Sequence, residues 1–326
     1  MRPSIWPAAL LALGGTWVLF SILVPSPGTE TLQIATSRQC LECHADVAKE
    51  WKESHHAFAY ENPEVRKLSQ DFRNEECLAC HAPRPVLLFE PGTRVLARNA
   101  DRGMGVDCLA CHLTETGQVA TTNQSPSRKA PCQPTTVPRL AEPETCAACH
   151  NQHKTVDQWR STPERLDGKP FRGENCLHCH MPVAWRSGGR KGASHSFKAS
   201  HDLEAIQSAV TMKADWGDTL AVSLRNDGAA HNFPTDERSR AADIAIRWTF
   251  DDGTQSDWLR QYRFRDPYRD ETALQNTTLP GGETWSSEVS VPENAVQVQV
   301  RLIYRTNPFQ ADKDAFLVHE LELKRP

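Results

Sequence analysis

Three hydrophobic patterns follow one another along the chain. Residues 5 to 24, IWPAALLALGGTWVLFSILV, are almost continuously apolar, and no charge occurs between Arg2 and Glu30. As a helix this run spans about 30 Å, the thickness of a bilayer hydrocarbon core. A secretory signal has an apolar stretch of only about 7 to 15 residues and a small-x-small cleavage site. VPSPGTE, which follows the run, is a poor one. The pattern therefore predicts a transmembrane or signal helix within residues 1–28, with an uncleaved anchor preferred to a cleaved signal. Arg2 then lies on the cytoplasmic side and the rest of the chain outside.

The last third alternates. TLAVSLRN (219–226), ADIAIRWTF (242–250), TWSSEVSVP (284–292), VQVQVRLIYR (296–305) and FLVHELELK (316–324) switch between apolar and polar positions and favour β-branched residues. Turn sequences separate them: NDG at 226–228, DDG at 251–253 and PGG at 280–282. This predicts an all-β, immunoglobulin-like sandwich over residues 203–326, either a cap on what precedes it or a contributor to the chemistry there.

Residues 29–202 show neither pattern. They are rich in Cys, His and Pro and lack long apolar runs, so they read as short helices and irregular segments. Their chemistry explains why. C-x-x-C-H, the attachment signature of c-type haem, occurs at Cys40-Cys43-His44, Cys77-Cys80-His81, Cys108-Cys111-His112, Cys146-Cys149-His150 and Cys176-Cys179-His180. With 11 cysteines and 13 histidines in 326 residues, chance supplies roughly 0.02 copies of this pattern. A zinc site needs converging Cys or His pairs, with no reason for a histidine after every second cysteine. Disulfide frameworks scatter cysteines at looser spacings. Five covalently bound haem c groups in some 140 residues leave roughly 30 residues each, too few for a side-chain core. The porphyrins themselves are then expected to be the core. Thioether attachment also places this domain outside the cytoplasm, periplasmic or extracytoplasmic.

Each attachment histidine supplies one axial iron ligand, and the opposite position decides between electron transfer and small-molecule chemistry. Eight histidines lie outside that role, and Cys132 is the one cysteine outside the motifs. ADVAKEWKESHHAF has good helix formers and no Gly or Pro. One helix running through it puts His56 about 18 Å from His44, within reach of a neighbouring iron and not of its own. His153, three residues after His150, reads as either a ligand or a surface residue. His55, His178 and His319 read as non-ligands. CLECH…W..S…CLACHAP (Cys40 to Pro83) is echoed by CAACH…W.S…CLHCHMP (Cys146 to Pro182), with Trp51 and Trp159 in matching places, which points to a duplication.

Over most of its length the chain resembles multihaem cytochromes c related to the tetrahaem electron acceptor of hydroxylamine oxidoreductase. CLECH…WKESHHAFA is similar to that group's C-x-x-C-H, Trp-x-x-Ser-x-His-x-x-Ala pattern, which implies His56 as a distal ligand. CLACHAPRP and GVDCLACH resemble the next two haem segments. CLHCHMP followed by SHSFKASHD resembles the last, with a His-x-Phe-x-Gly-x-His element that implies His195 and His201 as ligands; Ala199 and Ser200 depart from its small-residue pattern. NDGAAHNFPT resembles Asn-x-Gly-x-Gly-His-x-x-Pro-Thr, found where a β-domain follows the haems, with Ala230 in place of glycine, and implies that His231 reaches back to an iron. Where related chains carry a histidine before a proline, this one reads SRKAPCQPTT, so Cys132 is either a thiolate ligand or a free or partner-linked thiol.

Net charge is −4, from 37 basic and 41 acidic residues without basic runs, which argues against nucleic acid. Saturated irons favour an electron carrier with no catalytic residue. The partners expected are cytochromes or a quinol-linked membrane complex, with the N-terminal helix in the membrane and homo-oligomers or haem-chain assemblies possible. The alternative is a reductase or oxidase of a small nitrogen or sulfur compound at one open iron. Two features weigh against that: all five motifs end in His, where pentahaem nitrite reductase carries C-x-x-C-Lys, and none of Tyr60, Tyr262, Tyr268 and Tyr304 matches the cross-linking tyrosine of hydroxylamine oxidoreductase.

Overall fold

In C-x-x-C-H the two cysteines and the histidine fall at i, i+3 and i+4, one face of a single helical turn. The computed structural model of the protein, which describes residues 32–162, 174–235 and 238–326, puts a short helix at each motif. These are Arg38–Cys43, Leu78–His81, Cys108–His112, Pro143–His150 and Cys176–His180. Local chemistry starts two of them: the Asp107 carboxylate accepts from Ala110 N–H, and the Asn175 side chain accepts from Leu177 N–H. Helices Ala45–Lys52, Pro63–Leu68 and Thr155–Ser161 and irregular chain fill the space between motifs. A two-stranded parallel pair, β1 (Ala120–Thr121) with β2 (Thr135–Thr136), and a hairpin, β3 (Val183–Arg186) with β4 (Arg190–Ala193), complete this part. Its apolar core is small, built around Val86, Leu87, Val95, Ala120, Leu140 and Ala148.

The helix expected to run from residue 45 through His56 stops at Lys52, where Glu53 caps it and residues 54–61 turn. The anchor expected over residues 5 to 24 lies outside the described residues. Among the described residues no helix is long and apolar enough to cross a membrane.

Helix Leu203–Ala209 leads into seven strands: β5 (Thr211–Trp216), β6 (Thr219–Arg225), β7 (Ala241–Phe250), β8 (Leu259–Phe264), β9 (Thr284–Ser290), β10 (Ala295–Arg305) and β11 (Phe316–Lys324). They form two sheets, β5-β6-β9 and β11-β10-β7-β8. Between them lies one conventional core, with Leu220, Val222 and Leu224 from the first sheet meeting Ile244, Ile246, Val298, Val300 and Leu302 from the second. Two strands escape the alternation test. In β8, LRQYRF presents polar residues on both faces, and β5 buries only Met212 and Trp216 fully. The fourth strand pairs with the β11-β10-β7 sheet, where a constant-type immunoglobulin domain places it on the other sheet.

One buried charge holds the larger sheet. Asp243 on β7 is 2% exposed and accepts from both Arg263 on β8, at 2.6 and 2.7 Å, and Arg305 on β10, at 2.8 Å. Burial alone pushes this carboxyl up, but the two guanidiniums outweigh it and hold it below the usual carboxylate range. Its contribution is therefore in place above the unfolded-state value of about 3.9 and is lost as pH falls through the lower folded-state value. Asp243→Ala, which leaves two guanidiniums side by side, is expected to lower stability by about 3–5 kcal/mol in denaturant unfolding at neutral pH. The gap between variant and parent should narrow in strong acid.

Candidate haem-binding site

Two imidazoles that share one iron sit about 2 Å from it on each side, and each ring centroid lies about 1 Å behind its nitrogen, so centroids fall roughly 6 Å apart. Among the described residues three imidazole pairs have that separation. His56 and His150 are 6.0 Å apart, His112 and His195 6.2 Å, and His180 and His231 6.3 Å. Each pair joins one attachment histidine to one histidine from elsewhere. The ring nitrogens fit as well. Nδ1 lies 2.8 Å from Ala59 O in His81, 2.8 Å from Ala120 O in His112, 2.9 Å from Lys198 O in His180, 2.9 Å from Ala193 O in His195 and 3.0 Å from Asn232 O in His231. A carbonyl only accepts, so Nδ1 carries the proton and Nε2 keeps the lone pair that a metal needs. Burial pushes His56 down to about 3 and His195 to about 4, so both are neutral near pH 7.

Distinct devices aim the three non-motif histidines. Trp51 Nε1 donates to Val106 O at 2.8 Å, and Val106 N–H donates to His56 O at 2.8 Å, strapping residues 105–106 across the turn that carries His56. Gly105, at φ +58°, has no room for a side chain there: a Cβ would lie 2.4 Å from His56 O and 2.6 Å from Ala57 O. Glu50 holds the second. Its carboxylate takes two hydrogen bonds from Arg186, at 2.8 and 2.7 Å, and one from the His195 backbone N–H at 2.8 Å. The Arg186 contacts foremost hold that carboxyl below its ordinary range. The third comes from the β-domain loop between β6 and β7. Fully buried Asn226 donates to His231 O and Leu279 O, and Gln158 accepts from Asn232 N–H at 3.0 Å.

Thiols from different motifs meet. The thiols of Cys40 and Cys108, of Cys146 and Cys176, and of Cys149 and Cys80 lie close enough to perturb one another. Those contacts foremost push Cys108, Cys146 and Cys149 up, and burial pushes Cys111 up to about 11. No disulfide joins the described cysteines, so the ten in the motifs are not committed to one another.

These contacts revise the duplication. Trp51 donates to Val106 O, two residues before Cys108, and Trp159 donates to Glu174 O at 3.2 Å, two residues before Cys176. The first motif with the third therefore matches the fourth with the fifth, whereas the text of the sequence aligned the second with the fifth. CLACHAP and CLHCHMP look alike, but the spatial equivalence follows the tryptophan.

Other expected ligands lie elsewhere. His201 stacks on His55, centroids 3.7 Å apart, too close for a metal between them, and Arg240 approaches its Nε2 at 3.2 Å. That guanidinium occupies the lone pair His201 would use, so the structure does not bring it to an attachment histidine. His153 sits in the turn Asn151–His153 that follows the His150 helix. His178 accepts from Asn175 N–H in a helix cap, and His319 Nε2 lies 2.9 Å from Val210 O. Phe72 escaped notice in the sequence. A run of left-handed residues, Gln70, Asp71 and Phe72, puts its ring 5.9 Å from His81 and stacked on Tyr60.

Residues 39–113 match the family described as cytochrome c554 and c-prime. No curated protein sequence matches the chain. Among solved structures, a penta-heme cytochrome c552 from Thermochromatium tepidum has the same fold, with a TM-score of 0.67 at 18% identity over 90% of this chain and 99% of that one. Motifs, geometry and these matches together support a multihaem cytochrome c with covalently bound haem.

The strap predicts a specific sensitivity. Gly105→Ala is expected to cost about 1–3 kcal/mol in thermal unfolding. Gly103→Ala, whose Cβ would meet only the mobile end of Glu61 at 3.4 Å, should stay within about 0.5 kcal/mol of the parent.

Proposed function

We propose that this chain is a pentahaem cytochrome c that carries electrons outside the cytoplasm, between a membrane or periplasmic donor and another redox protein. Bound haem supplies a reversible one-electron iron. The chain's own residues do the rest. The ten motif cysteines anchor, the five motif histidines ligate from one side, and His56, His195 and His231 ligate from the other. The observation that carries this proposal is the set of three imidazole pairs at 6.0 to 6.3 Å, since an iron held on both sides exchanges electrons and refuses substrates.

The thiol contacts support a continuous path. The first motif touches the third through Cys40 and Cys108. Cys111 of the third lies within electrostatic range of Cys146 and Cys149 of the fourth. The fourth also meets the second at Cys80 and the fifth at Cys176. The array is thus branched at the fourth motif, with the first, second and fifth as its ends. His231 makes the β-domain, immunoglobulin-like in its seven strands, part of the fifth site and not a cap.

Kinship with the tetrahaem acceptor of hydroxylamine oxidoreductase, anchorage by residues 5 to 24, and a cytochrome or quinol-linked complex as partner belong to the same proposal. Support for them comes from the motif resemblance, the apolar run and the export that haem attachment demands. Assembly into haem chains would use the exposed array ends.

One observation favours the enzyme alternative. No second imidazole or extra thiol faces His81 among the described residues, and Phe72 is the ring beside it. An open iron would be there. In a carrier, nitrite, hydroxylamine or thiosulfate should turn over more slowly than about 1 s⁻¹, the lower end of ordinary enzyme rates, and carbon monoxide should perturb at most the two reduced haems of His44 and His81, whose rings pair with no second imidazole among the described residues. Faster turnover abolished by carbon monoxide would establish the alternative. His56→Ala, His195→Ala and His231→Ala should each keep every covalent haem and turn one iron high-spin in the ferric optical and EPR spectra. A variant with no spectral change would remove that histidine from the ligand set.

A further inference from the structure

Residues 194–201, SHSFKASH, reach three of the five motifs. His195 lies beside His112 of the third, Lys198 O takes the proton of His180 Nδ1 in the fifth, and the Phe197 ring packs on His56, the neighbour of His150 in the fourth. Other segments hold this one in place: Glu50 accepts from His195 N–H at 2.8 Å, and His201 stacks on His55. Near its middle Phe197 has φ +48°, a left-handed backbone that suits glycine and costs a residue with a side chain. A large ring held at such a position points to a task for the ring.

Phe197 meets His56 edge-to-face, with centroids 4.1 Å apart and planes at 64°, and meets His195 at 5.8 Å and 81°. His195 and His231 each have a carbonyl at Nδ1 that sets the direction of the ring. Among the described residues no hydrogen bond holds the His56 ring. Val106 N–H fixes its backbone, and the Phe197 ring lies against the imidazole itself. The resulting geometry is also different. The His56 and His150 planes stand 53° apart, against 28° for His112 with His195 and 16° for His180 with His231.

We propose that Phe197 is a positioning residue whose ring sets the plane of the His56 imidazole, giving the fourth iron crossed axial planes where those of the third and fifth are closer to parallel. The proposal rests on the reading of His56 and His150 as ligands of one haem iron. The π system of an imidazole overlaps with one of the two iron d orbitals that point out of the porphyrin plane. Parallel imidazoles act on the same orbital and separate the two in energy; crossed imidazoles act on both and bring them together. In ferric low-spin iron the crossed arrangement moves the leading EPR signal to higher g, so orientation is a lever on the iron in addition to ligand identity. The fourth motif is the branch of the proposed array, and Phe197 thus shapes the iron that three neighbours share.

The test uses the full-length holoprotein. His56→Ala first identifies the fourth iron: one low-spin ferric EPR signal should vanish and one high-spin iron appear. No change would remove His56 from the ligands and overturn the ligand reading together with this proposal. In the parent the signal so identified should lie at the highest g of the bis-histidine irons. Phe197→Leu, which keeps bulk without the flat ring, and Phe197→Gly, which also suits the backbone, should both leave this iron low-spin while its signal broadens and moves to lower g. Phe197→Tyr, which keeps the ring, should retain the parental position. The signal lost in His231→Ala, that of the fifth iron, should stay in place in all three. If the fourth signal is not the highest in the parent, if the Leu and Gly variants leave it unmoved, or if they shift the fifth as much as the fourth, the role of Phe197 is overturned while ligation by His56 stands.

Discussion

An imidazole can bind iron only through a nitrogen that keeps its lone pair, and in this protein backbone carbonyls decide which nitrogen that is. Ala59, Ala120, Lys198, Ala193 and Asn232 each place a carbonyl oxygen within 3.0 Å of a histidine Nδ1. Every such bond fixes both the proton and the direction of the ring. The carbonyls come from turns and strand ends whose conformations are set by other contacts. The haem-binding half of the molecule can thus be read as a set of backbone segments held where their oxygens are needed. His201 shows the opposite outcome, because an arginine side chain claims the nitrogen that a metal would use.

This constraint explains the contrast between the two halves. The β-domain has one core of close-packed aliphatic and aromatic side chains and a buried three-charge cluster around Asp243. The motif-bearing half has short helices and a small apolar cluster, and its cohesion comes from straps, carboxylate clamps and thiol contacts. The halves are joined through chemistry as well as packing. Asn226, buried beneath the β6–β7 loop, holds the carbonyl of His231, while Gln158 from the other half takes the next N–H. Gly228 allows that loop to lie against helix Leu203–Ala209, where a Cβ would come within 1.7 Å of Ser208 O.

The branch at the fourth motif gives the array a direction only if its ends differ. They do: His180 of the fifth lies beside His231 from the β-domain, His81 of the second beside Phe72, and the segment entering the first is tied by Leu32 N–H to Pro131 O. In the proposed array, three different surroundings for three chemically identical motifs would give three different irons, since potentials follow ligand identity and burial more than attachment.

Much was legible in the sequence because it is local. C-x-x-C-H is one turn of helix, and its spacing alone puts both cysteines and the histidine on one side. Alternation over 219–226, 242–250 and 296–305 likewise reports burial of one strand face. His56, His195 and His231 stood out through longer motifs, but not which attachment histidine each would lie beside. That depends on contacts between residues far apart in the chain, such as Trp51 with Val106 and Glu50 with Arg186, which no local pattern encodes. The helix through His56 was misjudged because propensity favours continuing it past Lys52, whereas the strap at Gly105 and Val106 needs a turn there. Strands β5 and β8 were missed because each buries part of its face against a partner that only the folded sandwich supplies. Attachment chemistry was therefore written in the sequence, residue by residue. Which histidines lie side by side and which motifs touch were decided by tertiary structure, because each is a distance between segments that meet only when the chain is folded.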